Sequence, residues 1–240
     1  MASPPLRRVV AILTGLLLGG CADHPFDNPL DPDAAADEIQ VLAVYQIAAQ
    51  DPWDLAWDGL SVVVVDAAAA KAILLDPLTA SEQRGMYSPG DSMRGVASNG
   101  TDYYVLDPLR SRAYRLSAGG GVLASFSISA RDAVAADLTG DSLWVLDRDS
   151  ATIHQIEIPG GQEVATLKTA VRHPTGLLVR PDHIWLSAES EGRVYRLSRS
   201  AGTVEAVLDA PGSNPRGLAF DGEHLWIVDR SGTLFKTRLG

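Results

Sequence analysis

The segment Gly217–Gly240 reads GLAFDGEHLWIVDRSGTLFKTRLG, and four earlier segments follow the same plan. A small residue opens a short apolar run, a polar turn follows, and an aromatic-rich run then ends near an aspartate. After a second turn comes a third apolar run. The aromatic slot is held by Val63, Tyr104, Trp144, Trp185 and Trp226, at steps of 41, 40, 41 and 41 residues. One unit of three or four short strands cannot bury its own apolar face. A fixed period near forty residues therefore points to units stacked around a ring, a β-propeller, rather than to one core wrapped by a unique chain path.

Five copies are present. The run Glu38–Ala48, EIQVLAVYQIA, has strand character but no repeat of its own, and the fifth copy lacks a fourth strand. The other four copies supply one at Ala80–Tyr87, Gly121–Ile128, Glu163–Lys168 and Thr203–Leu208, the first of these only weakly patterned. The expected fold is all-β. It is a five-bladed propeller over residues 38–240, closed by pairing the N-terminal strand with Thr233–Leu239, which removes the sheet edges that invite aggregation. Six blades are the alternative if a boundary is misplaced. The inner strands are Leu55–Trp57, Gly95–Ala97, Ala133–Ala136, Gly176–Val179 and Gly217–Phe220, rich in Gly and Ala because space near an axis is short. Asp58-Gly59, Asn99-Gly100 and Asp221-Gly222 suit tight hairpins. The third copy departs, with two extra residues at Asp137–Asp141.

Residues 1–20 read as an export signal. Arg7 and Arg8 precede the apolar run Val9–Leu18, whose ten residues are too few to cross a hydrocarbon core of roughly 30 Å. Cys21 is the only cysteine, so an intramolecular disulfide and a thiolate zinc site are excluded. Residues 21–37, CADHPFDNPLDPDAAAD, read as an acidic, proline-rich tether. The formal charge is −10, and without the first twenty residues it becomes −12. Such a surface repels phosphodiester backbones, so nucleic acid is not an expected partner.

Two resemblances follow from these residues. Leu18-Gly19-Gly20-Cys21 resembles the lipobox of bacterial lipoproteins. That implies cleavage before Cys21, acylation of its thiol and amine (palmitate among the chains), and membrane lipid as a partner. Ala22 rather than Asp follows the cysteine, which resembles the outer-membrane sorting pattern of diderm bacteria, facing the periplasm or the cell surface. The repeat GLAFDGEHLWIVDR…TLFKTRL resembles NHL and YncE-like bacterial propellers, over nearly all of residues 39–240. These families act mostly as binding platforms, with enzymes among their relatives.

Asp66, Asp107, Asp147 and Asp229 recur after the second strand, with Ala188 in the fourth copy, and read as turn acceptors. Lys71 and Arg112 are spaced to pair with two of them. The variable positions carry the functional expectation. The residue entering each inner strand is Trp53, Arg94, Asp132, Thr175 or Arg216, with Asp54 and His173 beside them. An indole, two arginines and acids around one funnel suit a polar or anionic ligand or a peptide. His183 and His224 make a poor metal pair, His154 reads as packing, and neither a metal nor another cofactor is expected. No nucleophile motif is present. Plant-type glutaminyl cyclases are small five-bladed propellers too, but their threonine-glutamine-glycine-leucine segment has only His173-Pro174-Thr175-Gly176-Leu177 as a counterpart, without the glutamine. The expected function is thus a non-enzymatic, envelope-anchored binding module. The alternatives are a hydrolase or glutaminyl-cyclase-like enzyme using the same funnel, and a structural scaffold of an envelope complex. Cys21→Ser should abolish metabolic labelling by fatty acid and release the protein from the membrane fraction; continued labelling would refute the lipobox reading.

Overall fold

The computed structural model describes residues 38–239. The signal, Cys21 and the tether expected over residues 1–37 lie outside the described residues. Twenty strands form five four-stranded antiparallel sheets. Blade one is β2 (Pro52–Trp57), β3 (Val62–Asp66), β4 (Lys71–Leu75) and β5 (Glu82–Tyr87). Blade two is β6 (Gly95–Ser98), β7 (Asp102–Asp107), β8 (Arg112–Ser117) and β9 (Val122–Ser127). Blade three is β10 (Ala133–Thr139), β11 (Ser142–Asp147), β12 (Thr152–Glu157) and β13 (Gln162–Lys168). Blade four is β14 (Gly176–Val179), β15 (His183–Ala188), β16 (Arg193–Ser198) and β17 (Val204–Asp209). Blade five is β18 (Pro215–Phe220), β19 (Leu225–Asp229), β20 (Thr233–Leu239) and, on its outer edge, β1 (Ile39–Gln46).

The expected closure is present. β1 runs antiparallel to β20 from Ile39 opposite Leu239 to Gln46 opposite Thr233, with one bulge between Val41 and Ala43. The five repeated slot residues, Val63, Tyr104, Trp144, Trp185 and Trp226, are all buried, and apolar clusters fill the seams between blades. The seam that closes the ring joins Ile47, Ala49 and Trp226 of the last blade to Val62, Val64 and Leu75 of the first. Tyr45 of β1 stacks on Trp226 at 6.1 Å, so the closing strand is held by side chains as well as by backbone.

Two local readings change. Within the weakly patterned Ala80–Tyr87, Glu82–Tyr87 forms the strand β5, with one bulge at Gln83; only Met86 of it is buried, and an outermost strand needs little apolar patterning. The extra residues of the third copy do not loosen its turn. They add a rung, Thr139 opposite Ser142, and leave Gly140 at φ 57° to make the bend.

Each inner strand pairs on one side only, so its other edge faces the axis with unpaired backbone groups. Asp54 answers part of this need: its Oδ2 accepts from Val96 N at 3.0 Å and Ala136 N at 2.9 Å, bridging from blade one to blades two and three. Asp137 Oδ2 accepts from Val179 N at 2.6 Å in blade four. Crowding at this radius is severe. A Cβ on Gly217 would lie 2.6 Å from the backbone of Asp54, which cannot swing away as a flexible side chain could. Gly217→Ala should therefore cost about 1–3 kcal/mol, read from the urea midpoint. Burial pushes the Asp54 carboxyl well above its ordinary 3.8 and the Asp137 carboxyl up to about 6. Each binds its proton more tightly folded than unfolded, so its contribution to stability is greatest below the unfolded pKa and declines as pH rises through the folded one. Between pH 4 and pH 7, Asp137→Asn should gain stability relative to the parent protein; a constant difference across that range would contradict this assignment.

Candidate functional site

The loops entering the inner strands and the turns after the second strands share one face of the ring. The repeated aspartates hold this face together from within. Asp66 accepts from Gln50 N, Asp51 N and Ala68 N at 3.0–3.1 Å, so it secures the loop that enters its own blade as well as the turn that follows it. Asp107, Asp147 and Asp229 repeat the arrangement, accepting from Asp91 N, Arg131 N and Asn214 N at 2.7–2.9 Å. All four are buried and act as turn acceptors, as expected. Lys71 and Arg112 do not pair with them. The third-strand start points these side chains across to the outermost strand, where Lys71 meets Glu82 and Arg112 meets Ser125.

Bulges aim the side chains that the strands present. In β2, Trp53 and Asp54 occupy the step between the pairs Pro52–Asp66 and Leu55–Val64, where two residues face one. In β18, Arg216 and Gly217 occupy the same step between Pro215–Asp229 and Leu218–Ile227. A bulge of this kind turns consecutive side chains out of strict alternation. It sends Trp53 to the funnel and Asp54 to the axis.

Around Trp53 stand three guanidinium groups, with Arg216 4.2 Å, Arg94 4.6 Å and Arg148 5.4 Å from the ring centroid. Each gains from the indole face, and acids hold the cluster together. Arg94 and Arg148 both reach Asp132, at 3.0 and 2.8 Å. Arg216 reaches Asp51 at 2.6 Å and Glu189 at 3.1 Å, and also donates to Pro52 O at 2.8 Å. Arg230 adds a second contact to Glu189 at 3.1 Å. Burial works against the charge of Asp51, but hydrogen bonds from Arg216 and from Trp53 Nε1 hold its carboxyl below the ordinary range.

The structure thus brings Trp53, Arg94, Asp132 and Arg216 together, with different exposure. Arg216 is 3% exposed and its donors are taken by protein acceptors, so it is a brace. The side chains of Arg94 and Arg148 keep 34% and 29% exposure and can offer donors outward. Thr175 is buried beneath the surface, with its Oγ1 donating to Pro215 O at 2.9 Å. Asp54 is sealed in the axis and does not face the funnel. His173 lines a cavity of about 420 Å³ together with Arg148, Glu189, Asn214 and Arg230. Its φ is 45°. The other non-glycine residues with positive φ, Ala70, Ala80, Ser111 and Ala151, sit in hairpin turns; His173 sits in an entering loop, where strain of this kind is associated with function.

Arg148, Glu189 and Arg230 were not singled out from the sequence, although a signal existed. The residue just after each repeated aspartate position is Ala67, Pro108, Arg148, Glu189 or Arg230, a second slot whose chemistry does not repeat. Where the aspartate is replaced by Ala188, Glu189 opens the short 3-10 turn Glu189–Glu191 and takes the two arginines.

Among the described residues no three His, Cys, Asp or Glu side chains converge as metal ligands. His183 and His224 each have a carboxylate after all, Glu205 at 3.0 Å and Asp221 at 3.2 Å, and each is occupied by its own. Ser129, His154 and Glu163 meet on blade three, but both contacts fall on Nδ1 of the buried His154. A nucleophile relay needs the serine and the acid on opposite ring nitrogens, so this is not a triad.

No family model matches the sequence, and no curated protein sequence matches it. Solved structures do. The chain is similar to the crystal structure of Myxococcus xanthus glutaminyl cyclase, with a TM-score of 0.73 and 15% identity over 83% of this chain and 95% of that one. It is also similar to a streptogramin B lyase, with a TM-score of 0.53 and 12% identity over 84% of this chain and 98% of that one. Staphylococcus aureus virginiamycin B lyase gives a TM-score of 0.52 at 15% identity, over 79% and 66% of the two chains. At these identities the likeness is one of fold: the protein is a five-bladed β-propeller.

Proposed function

We propose that this protein is an envelope lipoprotein of the NHL and YncE-like kind, anchored through Cys21 in the outer membrane, whose propeller captures an anionic ligand at the axial funnel. The observation that carries the binding reading is the stack of Arg94, Arg148 and Arg216 around Trp53, beside the cavity bounded by Arg148, Arg230 and His173. In a chain of net charge −10, Arg94, Arg148, Arg216 and Arg230 outnumber their acids Asp51, Asp132 and Glu189 by one. Counted over these pairs alone, the funnel is less acidic than the chain as a whole. Its guanidiniums are pre-oriented by the acids beside them, which reduces the ordering cost of gripping a carboxylate or phosphate group.

A second reading, a glutaminyl-cyclase-like activity, is favoured by the extent of the likeness to the Myxococcus enzyme. Against it, Asp132 is committed to two arginines and Asp54 is sealed from the funnel, so neither acid offers itself to move a proton on a bound substrate.

Titration with inorganic phosphate and with acetate, followed by nitrogen-15 shifts of the Trp53 indole, should give saturable binding of at least one anion. Arg148→Ala with Arg230→Ala should weaken it at least tenfold, and undiminished binding would remove the site. Arg216→Ala is the folding control: it leaves Asp51 without its arginine and Glu189 with Arg230 alone, and should cost about 1–3 kcal/mol. Ammonia release from a glutamine-terminated peptide should stay at the uncatalysed rate; catalysed release that is lost in Asp132→Asn would establish the enzyme reading instead.

A further inference from the structure

The axis has a second mouth, on the face opposite the funnel, where the inner strands end. A cavity of about 180 Å³ opens there, lined by Trp57, Ser98, Asp137, Thr139, Arg180 and Phe220 among others. The Asp137 carboxylate is oriented by backbone donors on both oxygens, Leu138 N at 2.8 Å and Val179 N at 2.6 Å. No cation among the described residues is in salt-bridge contact with it. Arg180 is near enough to favour its charge, yet the guanidinium lies over the Phe220 ring, 4.1 Å from the centroid. Deeper in the axis, Asp54 is fully buried, and its Oδ1 has no hydrogen-bond partner. Its Oδ2 bonds to the residues just before Ala97 and Asp137, so the carboxyl lies inside the ring of inner strands, above this cavity. A charge on Asp137 disfavours one on Asp54. The mouth therefore holds an oriented carboxylate, two hydroxyls, two partly exposed aromatic rings and, in Arg180, a cation that lies on Phe220 rather than on the carboxylate.

We propose that this mouth is a binding site for a primary alkylammonium group. The space, equal to about six waters at their liquid volume, is large for a bare ion and suits a short alkyl chain. Asp137 offers the charged acceptor; Ser98 Oγ, which accepts from Gly100 N and donates to Asp102 O, and Thr139 Oγ1, which accepts from Trp144 Nε1, each keep one lone pair for an ammonium's other donors. Trp57 offers a ring face to the charge and to the alkyl stem, while one face of Phe220 is held by Arg180. The shared chemistry fits a free small amine or a lysine side chain of a partner.

The test is titration with n-propylammonium chloride, N-acetyl-lysine amide and potassium chloride at equal ionic strength, read from the nitrogen-15 indole shift of Trp57. One of the two ammonium compounds should saturate, and the tighter of them names the source. Asp137→Asn should weaken binding at least tenfold, with Arg148→Ala at the funnel leaving it unchanged. Arg180→Ala, which removes the competing cation without touching the carboxylate's backbone donors, should tighten binding severalfold. No saturation, equal saturation by potassium, unchanged affinity in Asp137→Asn or weaker binding in Arg180→Ala would each overturn the assignment.

Discussion

The antiparallel pairing of Ile39–Gln46 with Thr233–Leu239 is the contact on which the remaining geometry rests. Five sheets stacked side by side could continue as an open array. The last sheet is completed by a strand from the beginning of the chain and packs on the first, so that five inner edges face one another across an axis. Both sites described here exist because of that convergence. Arg94, Arg148, Arg216 and Asp51 come from different blades and are remote in sequence, and no single blade could assemble them.

Convergence also creates a demand. Inner strands pair on one side, so their axial N–H groups need acceptors that no neighbouring strand supplies. Two aspartates meet part of it. Asp54 serves two blades with one oxygen, and Asp137 serves a third. Placing carboxyls where their charge is disfavoured costs stability, and the hydrogen bonds offset part of that cost. At the funnel the demand is of the opposite sign: three guanidiniums crowd one indole, and Asp51, Asp132 and Glu189 make the crowd tolerable.

The period made the fold legible. Residues such as Trp144, Trp185 and Trp226 recur because every blade seam poses the same packing problem, and repetition is what a single sequence displays well. The funnel was partly legible for the complementary reason: Trp53, Arg94, Asp132 and Arg216 occupy a slot whose chemistry does not repeat. Arg148, Glu189 and Arg230 escaped because they belong to a different slot that meets the first only across blades, a relation the period does not encode. Asp54 was misdirected for a local reason. In a regular strand it and Trp53 would alternate predictably, but a bulge gives each a direction of its own. Thr175 has the right place in the repeat and lines the cavity beside His173, but its hydroxyl is spent on the carbonyl of Pro215.

The closure has a consequence for the order of events in synthesis. β1 is the first strand of the propeller to be made and β20 the last, so the two partners are separated by the whole of the ring. Blades one to four can form as their residues arrive, but β1 must wait through all of them with Val41, Leu42 and Val44 unpaired and apolar. Folding of this domain cannot be finished blade by blade behind a moving chain end. The pairing of β1 with β20 is the last one open to the chain, because its second partner is the last strand to be made.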